Sequence, residues 1–150
     1  MRDRFDKFDQ RIAVWMENHG LLFLRISLGI IFIWFGLLKP FWESPATALV
    51  AKTVYWFPPK IFVPILGVWE VAIGIGLLYR PLIRAALFLL FVQMAGTFLP
   101  LVLLPEVCFT HFPYAPTLDG QYIIKNLILI SAGIVIGGTV RHEERKGMHL

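Results

Sequence analysis

Long apolar runs dominate the chain and are separated by short polar segments. Four of these runs, at residues 20–39, 61–79, 82–104 and 122–140, have about the 20 residues that a helix needs to cross a bilayer. Backbone polar groups in lipid must be hydrogen-bonded internally, and the alternating pattern of barrel strands is absent, so each run predicts a membrane-spanning helix. The expected fold is all-α: a single membrane domain built as a four-transmembrane-helix bundle.

The segment ahead of the first run shows an amphipathic pattern instead. Phe5, Phe8, Ile12 and Trp15 recur at helical spacing, and charged residues occupy the other faces. This pattern favours an interfacial helix that lies on the membrane surface over residues 1–19. A helix that docks on a partner protein has the same pattern and is the alternative.

Composition agrees with a membrane location. Hydrophobic residues make up 57% of the chain and charged residues 16%, with a mean hydropathy of +0.70. Soluble domains have about 45–50% apolar and about 25% charged residues. These figures exclude a disordered chain and a nucleic-acid-binding arm, and the expected surroundings are a lipid bilayer with no nucleic acid.

The distribution of basic residues predicts the topology. They concentrate in the N-terminal segment, in the hairpin after the second run and in the C-terminal tail. These residues are Arg2, Arg4, Lys7, Arg11, Arg80, Arg84, Arg141, Arg145 and Lys146. The two remaining loops contain only Lys52 and Lys60. The positive-inside rule therefore places both termini of this multi-pass protein in the cytoplasm.

The outer loops carry signals for local structure. Ser44 followed by Pro45 is a favourable N-cap and first-turn pair, which predicts a short helix to about Tyr55. In the second outer loop, Thr117 or Asp119 is expected to cap the fourth span.

Six polar side chains lie within or at the ends of the apolar runs and form the candidate binding site. They are Arg25, Lys39, Glu70, Gln93, Lys125 and Asn126. Ionisable groups in a membrane span are costly, so these side chains are expected to face the bundle interior. Glycines share their faces at helical spacing, as Gly29 and Gly36 do on the first helix, which predicts that the polar faces are also the close-packing faces.

Estimated depth suggests which charges pair. At 1.5 Å per residue, Glu70 and Gln93 lie at nearly the same level and Arg25 lies about 7 Å nearer the cytoplasm. Arg25 is therefore the expected partner of Glu70, and Lys125 is the second candidate. Lys39 is expected to end the first span at the outer surface.

Two interpretations of the buried polar set stay open. A buried ion pair with Gln and Asn can fix the register of the helices without any chemistry. The same groups can instead bind a small polar head group, such as that of a quinone, or form a proton relay.

The inventory of reactive side chains argues against a self-contained enzyme, and no catalytic residue is assigned. All four histidines lie outside the spans, so no bound haem is expected, and no cluster has metal-ligand spacing. Cys108 is the lone cysteine, which excludes an intrachain disulfide or a CxxC redox pair.

Three motifs resemble those of the DoxX-like membrane proteins. The first is Arg25-x-x-x-Gly29 leading into FGLLK at residues 35–39, which is similar to their first helix. The second is GVWEV at residues 67–71, similar to their acidic second-helix motif. The third is DGQYIIKNL at residues 119–127, similar to their last-helix signature.

A further stretch, FIWFGLLK at residues 32–39, resembles the related YkgB group, which is tied to reactive-chlorine resistance. The resemblance implies a four-helix membrane bundle associated with redox chemistry, since relatives include the DoxD-type subunit of thiosulfate:quinone oxidoreductase. The polar positions that it carries over are Arg25, Lys39, Glu70, Lys125 and Asn126.

With this resemblance, the chain is expected to be a multi-pass protein of a bacterial inner (plasma) membrane. Its expected function is that of a small subunit of a membrane redox or oxidative-stress system, with quinone as the candidate cofactor. Its expected partners are other membrane or redox proteins, or further copies of the chain in a homo-oligomer. The alternative is a non-catalytic assembly factor or structural subunit of a membrane complex. A small transporter is a more distant alternative.

Overall fold

The first helix is longer than a bilayer is thick. A computed structural model describes residues 2–41 and 47–147, and α1 runs through Arg2–Leu38, 37 residues. At 1.5 Å per residue it is about 55 Å long, whereas the hydrocarbon core is about 30 Å thick. The amphipathic segment is therefore helical and continues into the first span without a break at Gly20. Its predicted position on the membrane surface stays a prediction.

The first outer loop contains a short helix that leads into the second span. This helix, α2, covers Thr47–Thr53, and α3 follows at Pro59–Leu78. Pro59 occupies the first turn of α3, where its missing N–H costs no hydrogen bond. The predicted cap at Ser44 and Pro45 lies outside the described residues.

The third span is interrupted near its outer end. A 3₁₀ turn at Arg80–Leu82 leads into α4 at Ile83–Thr97, and the shorter α5 follows at Leu99–Leu103. The expected single helix over residues 82–104 is thus divided. Pro100 explains the division, because it lacks an N–H and its ring clashes with the carbonyl four residues earlier.

The second outer loop folds into a small unit of its own. Helix α6 covers Pro105–Cys108, and two short strands follow, β1 at Phe109–His111 and β2 at Ala115–Pro116. The strands pair antiparallel, with Phe109 opposite Pro116.

The fourth span begins at a capped turn. It consists of α7 at Leu118–Ile124 and α8 at Asn126–Gly147. The hydroxyl of Thr117 accepts a hydrogen bond from the N–H of Gly120 and donates one to the carbonyl of Val107. The predicted cap by Thr117 is confirmed, and it also ties the start of the fourth span to α6.

The backbones of α1 and α3 are in close contact at their glycines. A Cβ atom at Gly74 would lie 2.6 Å from the carbonyl oxygen of Gly29, and one at Gly36 would lie 2.7 Å from that of Gly67. Only glycine permits such close backbone approach. The prediction that the glycine faces are close-packing faces is confirmed for these two helices.

The fourth span packs against α4 in a looser way. A Cβ atom at Gly133 would lie 3.2 Å from the ring of Phe91, and one at Gly137 would lie 3.3 Å from Leu87. The central core lies between these helices and α3. Its most buried side chains include Ile73, Leu77, Leu90 and Ile136.

The outward surface of the bundle is apolar. Four segments are long and apolar enough to cross a membrane, and only 22–39% of each is buried inside the protein. They are Asp6–Leu38, Pro59–Leu78, Arg80–Leu103 and Leu118–Val140. Their exposed apolar faces require a lipid environment. The predicted fold class, an all-α four-helix membrane bundle, is confirmed.

Candidate functional site

Glu70 is a buried carboxylate near the middle of α3, and its counter-ion is Lys39. The residue is 8% exposed, and Lys39 is 3% exposed. The ammonium of Lys39 donates a hydrogen bond to Oε2 of Glu70 and forms an ion pair with it. The predicted pair between Glu70 and Arg25 is therefore wrong, and Lys39 turns into the bundle instead of marking the outer surface.

The glycine contacts define the register that favours Lys39 over Arg25. Because α1 and α3 run antiparallel with Gly29 opposite Gly74, residues whose numbers sum to 103 face each other. Lys39 therefore lies about 9 Å above the level of Glu70, and Arg25 about 12 Å below it.

Side-chain direction adds to this difference. Cα–Cβ bonds in a helix tilt toward its N-terminus. On α1 this tilt points Arg25 away from Glu70. Lys39 directly follows the last residue of α1, in a turn where its N–H donates to the carbonyl oxygen of Gly36, and from there its side chain reaches Glu70. On the antiparallel α3 the tilt points Glu70 up toward Lys39. The two charged side chains thus converge, and the Cβ atom of Lys39 lies beside Gly67.

Gln93 on α4 completes the site from the opposite side. Its Nε2 donates a hydrogen bond of 2.6 Å to Oε1 of Glu70. Its backbone carbonyl accepts a hydrogen bond from the hydroxyl of Thr97. Both carboxylate oxygens of Glu70 are thus hydrogen-bonded. We refer to Lys39, Glu70 and Gln93 as the Lys–Glu–Gln cluster.

One polar atom of the cluster has no partner. Oε1 of Gln93 is buried and accepts no hydrogen bond from the part of the chain that the structure describes. The amide orientation follows from chemistry, because a carboxylate paired with an ammonium offers only acceptors and must receive the NH₂ group. The side-chain carbonyl oxygen of Gln93 is therefore the group that has no hydrogen-bond donor among the described residues.

Two aromatic residues lie beside the cluster, and sequence reasoning did not assign them to the site. The phenol of Tyr122 on α7 is close enough to Glu70 for a direct Coulombic interaction. The indole N–H of Trp69 donates to the carbonyl oxygen of Leu89, which joins α3 to α4. Trp69 could have been assigned from its position directly before Glu70 in the sequence. Tyr122 could have been assigned from its position at the start of the last span.

An apolar groove lies between α3 and α4, on the side of α3 that faces away from Glu70, and no residue of the cluster lines it. It is lined by Pro64, Ile65, Val68, Trp69, Ala72 and Leu89. Leu89 precedes Gln93 by four residues, so the groove and Gln93 are one helical turn apart on the same side of α4.

The other three candidate residues lie apart from the cluster. Arg25 is half-buried, and its Nε has no hydrogen-bond partner within the described residues. Lys125 is exposed at the junction of α7 and α8, and Asn126 is half-buried at the start of α8. The structure thus brings together half of the six predicted residues.

The cluster has the groups needed to hold a small polar molecule. The ammonium of Lys39 has three N–H donors, one of which meets Glu70, and the amide of Gln93 has a second N–H and its free carbonyl oxygen. Such donors and acceptors suit the oxygens of a quinone or quinol head group.

Fold and site together define a small membrane bundle of four spans with a buried Lys–Glu–Gln cluster. The DoxX family matches residues 20–103, more than half of the chain, and the protein belongs to that family. The matched segment includes the whole cluster, whereas Lys125 and Asn126 lie beyond it. Comparisons with curated proteins and with solved structures found no match.

Proposed function

We propose that this DoxX family protein is a small subunit of a membrane redox or oxidative-stress system, and that the Lys–Glu–Gln cluster binds a quinone head group. The buried ion pair supports this proposal. Charged groups inside a membrane are expensive and mark functional sites by default. The pair is accompanied by unused hydrogen-bonding groups on Lys39 and Gln93, which a purely structural ion pair does not need.

The proposal predicts that the protein retains a quinone when it is extracted gently from its native membrane. Mass spectrometry of the extracted lipid fraction should find quinone near one molecule per chain. Glu70→Gln removes the negative charge that holds the cluster together, and this variant should retain little of the quinone. The matched control is Glu106→Gln, which neutralises an exposed carboxylate outside the spans and should retain the quinone.

A second variant distinguishes loss of quinone binding from loss of folding. Glu70→Gln leaves Lys39 buried without a counter-ion, whereas Lys39→Met combined with Glu70→Gln leaves no buried charge. The double variant should form a stable bundle that lacks quinone. Wild-type protein that purifies with ordinary phospholipid alone would contradict the proposal.

The second candidate function is a non-catalytic assembly factor or structural subunit. One observation favours this function. Both partners of the ion pair belong to this chain, so the cluster can stabilise the bundle without any ligand. This function predicts a stoichiometric protein partner in the same gentle extract with no quinone, and a partner complex that fails to form in cells without this protein.

A further inference from the structure

Arg25 is a half-buried charge that the Lys–Glu–Gln cluster does not use. Its Nε is enclosed and has no hydrogen-bond partner within the described residues, and no carboxylate of that part of the chain pairs with it. Glu70 lies about 12 Å above it by the helix register, and Glu17 lies two turns below it on α1, about 12 Å along the axis. An enclosed guanidinium without a counter-ion is unfavourable, so Arg25 favours an anion from its surroundings.

The register of the helices places Arg25 at one end of the bundle. It faces Leu78, the last residue of α3, because facing residues of α1 and α3 have numbers that sum to 103. The tilt of helical side chains points Arg25 away from the middle of the bundle, toward the level of the hairpin at Arg80–Leu82. We refer to this end as the hairpin end. A long basic side chain at the end of a span extends into the layer of lipid head groups.

A phosphate group is the anion that suits this position. A guanidinium donates two parallel N–H bonds to phosphate, which a point charge cannot do. Arg84 adds positive charge at the same level, because Gly76 of α3 packs on Ala86 of α4 and residue 84 therefore lies level with residue 78. Arg84 has interactions of its own, which leaves Arg25 as the group that receives the phosphate. Basic sites between transmembrane helices are known to bind anionic lipid head groups.

Exposed apolar side chains beside Arg25 favour a lipid over a soluble phosphate. Leu22, Phe23 and Ile26 lie within one turn of Arg25 on α1, and all three are exposed. Acyl chains can pack on these side chains while the head group meets the guanidinium, whereas a soluble anion gains nothing from them. We infer that Arg25 binds the phosphate of an anionic phospholipid at the hairpin end of the bundle. This inference does not rest on the proposed quinone site.

Native mass spectrometry tests this inference on the full chain. The protein in maltoside micelles is titrated with phosphatidylglycerol or with phosphatidylcholine, and dissociation constants are taken from the populations with and without one bound lipid. We expect phosphatidylglycerol to bind about tenfold more tightly, because the choline group makes the other head group neutral. Arg25→Gln should reduce this preference to less than about twofold. Arg25→Lys keeps the charge but loses the two parallel donors, and it should retain part of the preference.

Two controls isolate the role of Arg25. Arg11→Gln removes the same charge from an exposed position of the same helix and should leave the preference intact. Inorganic phosphate, added as its ammonium salt at the concentration of the lipid, should not displace phosphatidylglycerol.

The alternative outcomes overturn the inference in separate ways. Equal affinities for the two lipids would show that the head-group charge is not recognised. A preference that survives in monodisperse, helical Arg25→Gln, or that is lost equally in Arg11→Gln, would show that Arg25 is not the binding group. Displacement by inorganic phosphate would assign the site to a soluble anion instead of a lipid. None of these measurements depends on quinone, so the proposed function stands or fails by its own test.

Discussion

At the residue scale, the direction of side chains decides which charges meet. Arg25 lies on α1 one turn before Gly29, and Lys39 directly follows the end of the same helix. Arg25 inclines away from Glu70, because side chains in a helix tilt to the N-terminal side, whereas Lys39 reaches Glu70 from the turn after the helix. The result is an ion pair that is almost completely enclosed.

This pairing predicts a specific pattern of stability changes. Glu70→Gln should lower the free energy of unfolding in detergent micelles by about 3 kcal/mol, because it leaves the ammonium of Lys39 buried without a counter-ion. Lys39→Met alone should cost a similar amount. The double variant should be more stable than either single variant, since it contains no isolated charge.

A parallel cycle with Arg25 provides the control. Because Arg25 is about 12 Å below Glu70 by the helix register, the effects of Arg25→Gln and Glu70→Gln should add within about 0.5 kcal/mol. Strong coupling in the Arg25 cycle and none in the Lys39 cycle would contradict the ion pair seen in the structure.

At the element scale, four glycines hold α1 against α3. Gly29 faces Gly74 and Gly36 faces Gly67, so the two backbones touch at two points that are seven residues apart on each helix. This close contact fixes the register of the pair and thereby the position of Lys39 relative to Glu70. The four glycines therefore help to position the residues of the site.

Alanine substitutions at glycine test this contact. Gly74→Ala should lower the free energy of unfolding by about 2 kcal/mol, because its Cβ atom would overlap the carbonyl oxygen of Gly29. Gly138→Ala is the matched control, since nothing lies within 4 Å of its Cβ position in α8. It should be neutral or stabilising by up to about 1 kcal/mol. Equal losses at both positions would argue against backbone contact between α1 and α3.

At the scale of the whole molecule, the outward surface and the loops determine how the bundle sits in the membrane. The apolar outer faces require lipid, and the N-terminal half of α1 extends beyond the length needed for one span. The basic residues predict that both termini and the hairpin around Arg80 lie on one side of the membrane. The α6–β1–β2 unit, in which Cys108 is buried, is then expected on the other side.

Cysteine labelling tests this topology in intact cells. A membrane-impermeant maleimide should label Leu118→Cys from outside, because that position is 83% exposed in the outer loop region. Tyr79→Cys, which is 59% exposed at the opposite end of the bundle, should be labelled only after the membrane is permeabilised. Labelling of Tyr79→Cys in intact cells would reverse the orientation.

The native cysteine should not interfere with this experiment. Burial raises the pKa of the Cys108 thiol, and the carboxylates of Asp119 and Glu106 raise it further. A raised pKa keeps the thiol protonated at neutral pH, and only the thiolate reacts readily. The wild-type protein should therefore stay almost unlabelled on both sides at neutral pH, and its labelling should increase as the pH rises.

The sequence by itself determined the fold class and the approximate spans, limited the cap of the fourth span to Thr117 or Asp119, and included Lys39, Glu70 and Gln93 among six candidate inward-facing residues. These features follow from local physical chemistry: lipid demands long apolar helices, and a charge within them must turn toward protein. The glycine faces were predictable for the same reason, because small residues at helical spacing mark the contact side whatever the partner is.

Only the tertiary structure decided how these parts combine. Depth estimated along each helix in isolation paired Glu70 with Arg25, whereas the antiparallel register between α1 and α3 paired it with Lys39. The hydrogen bond from Gln93 to Glu70 likewise depends on how α3 and α4 lie against each other. Register and side-chain direction are relations between elements, and a single apolar run contains no information about its neighbour's position.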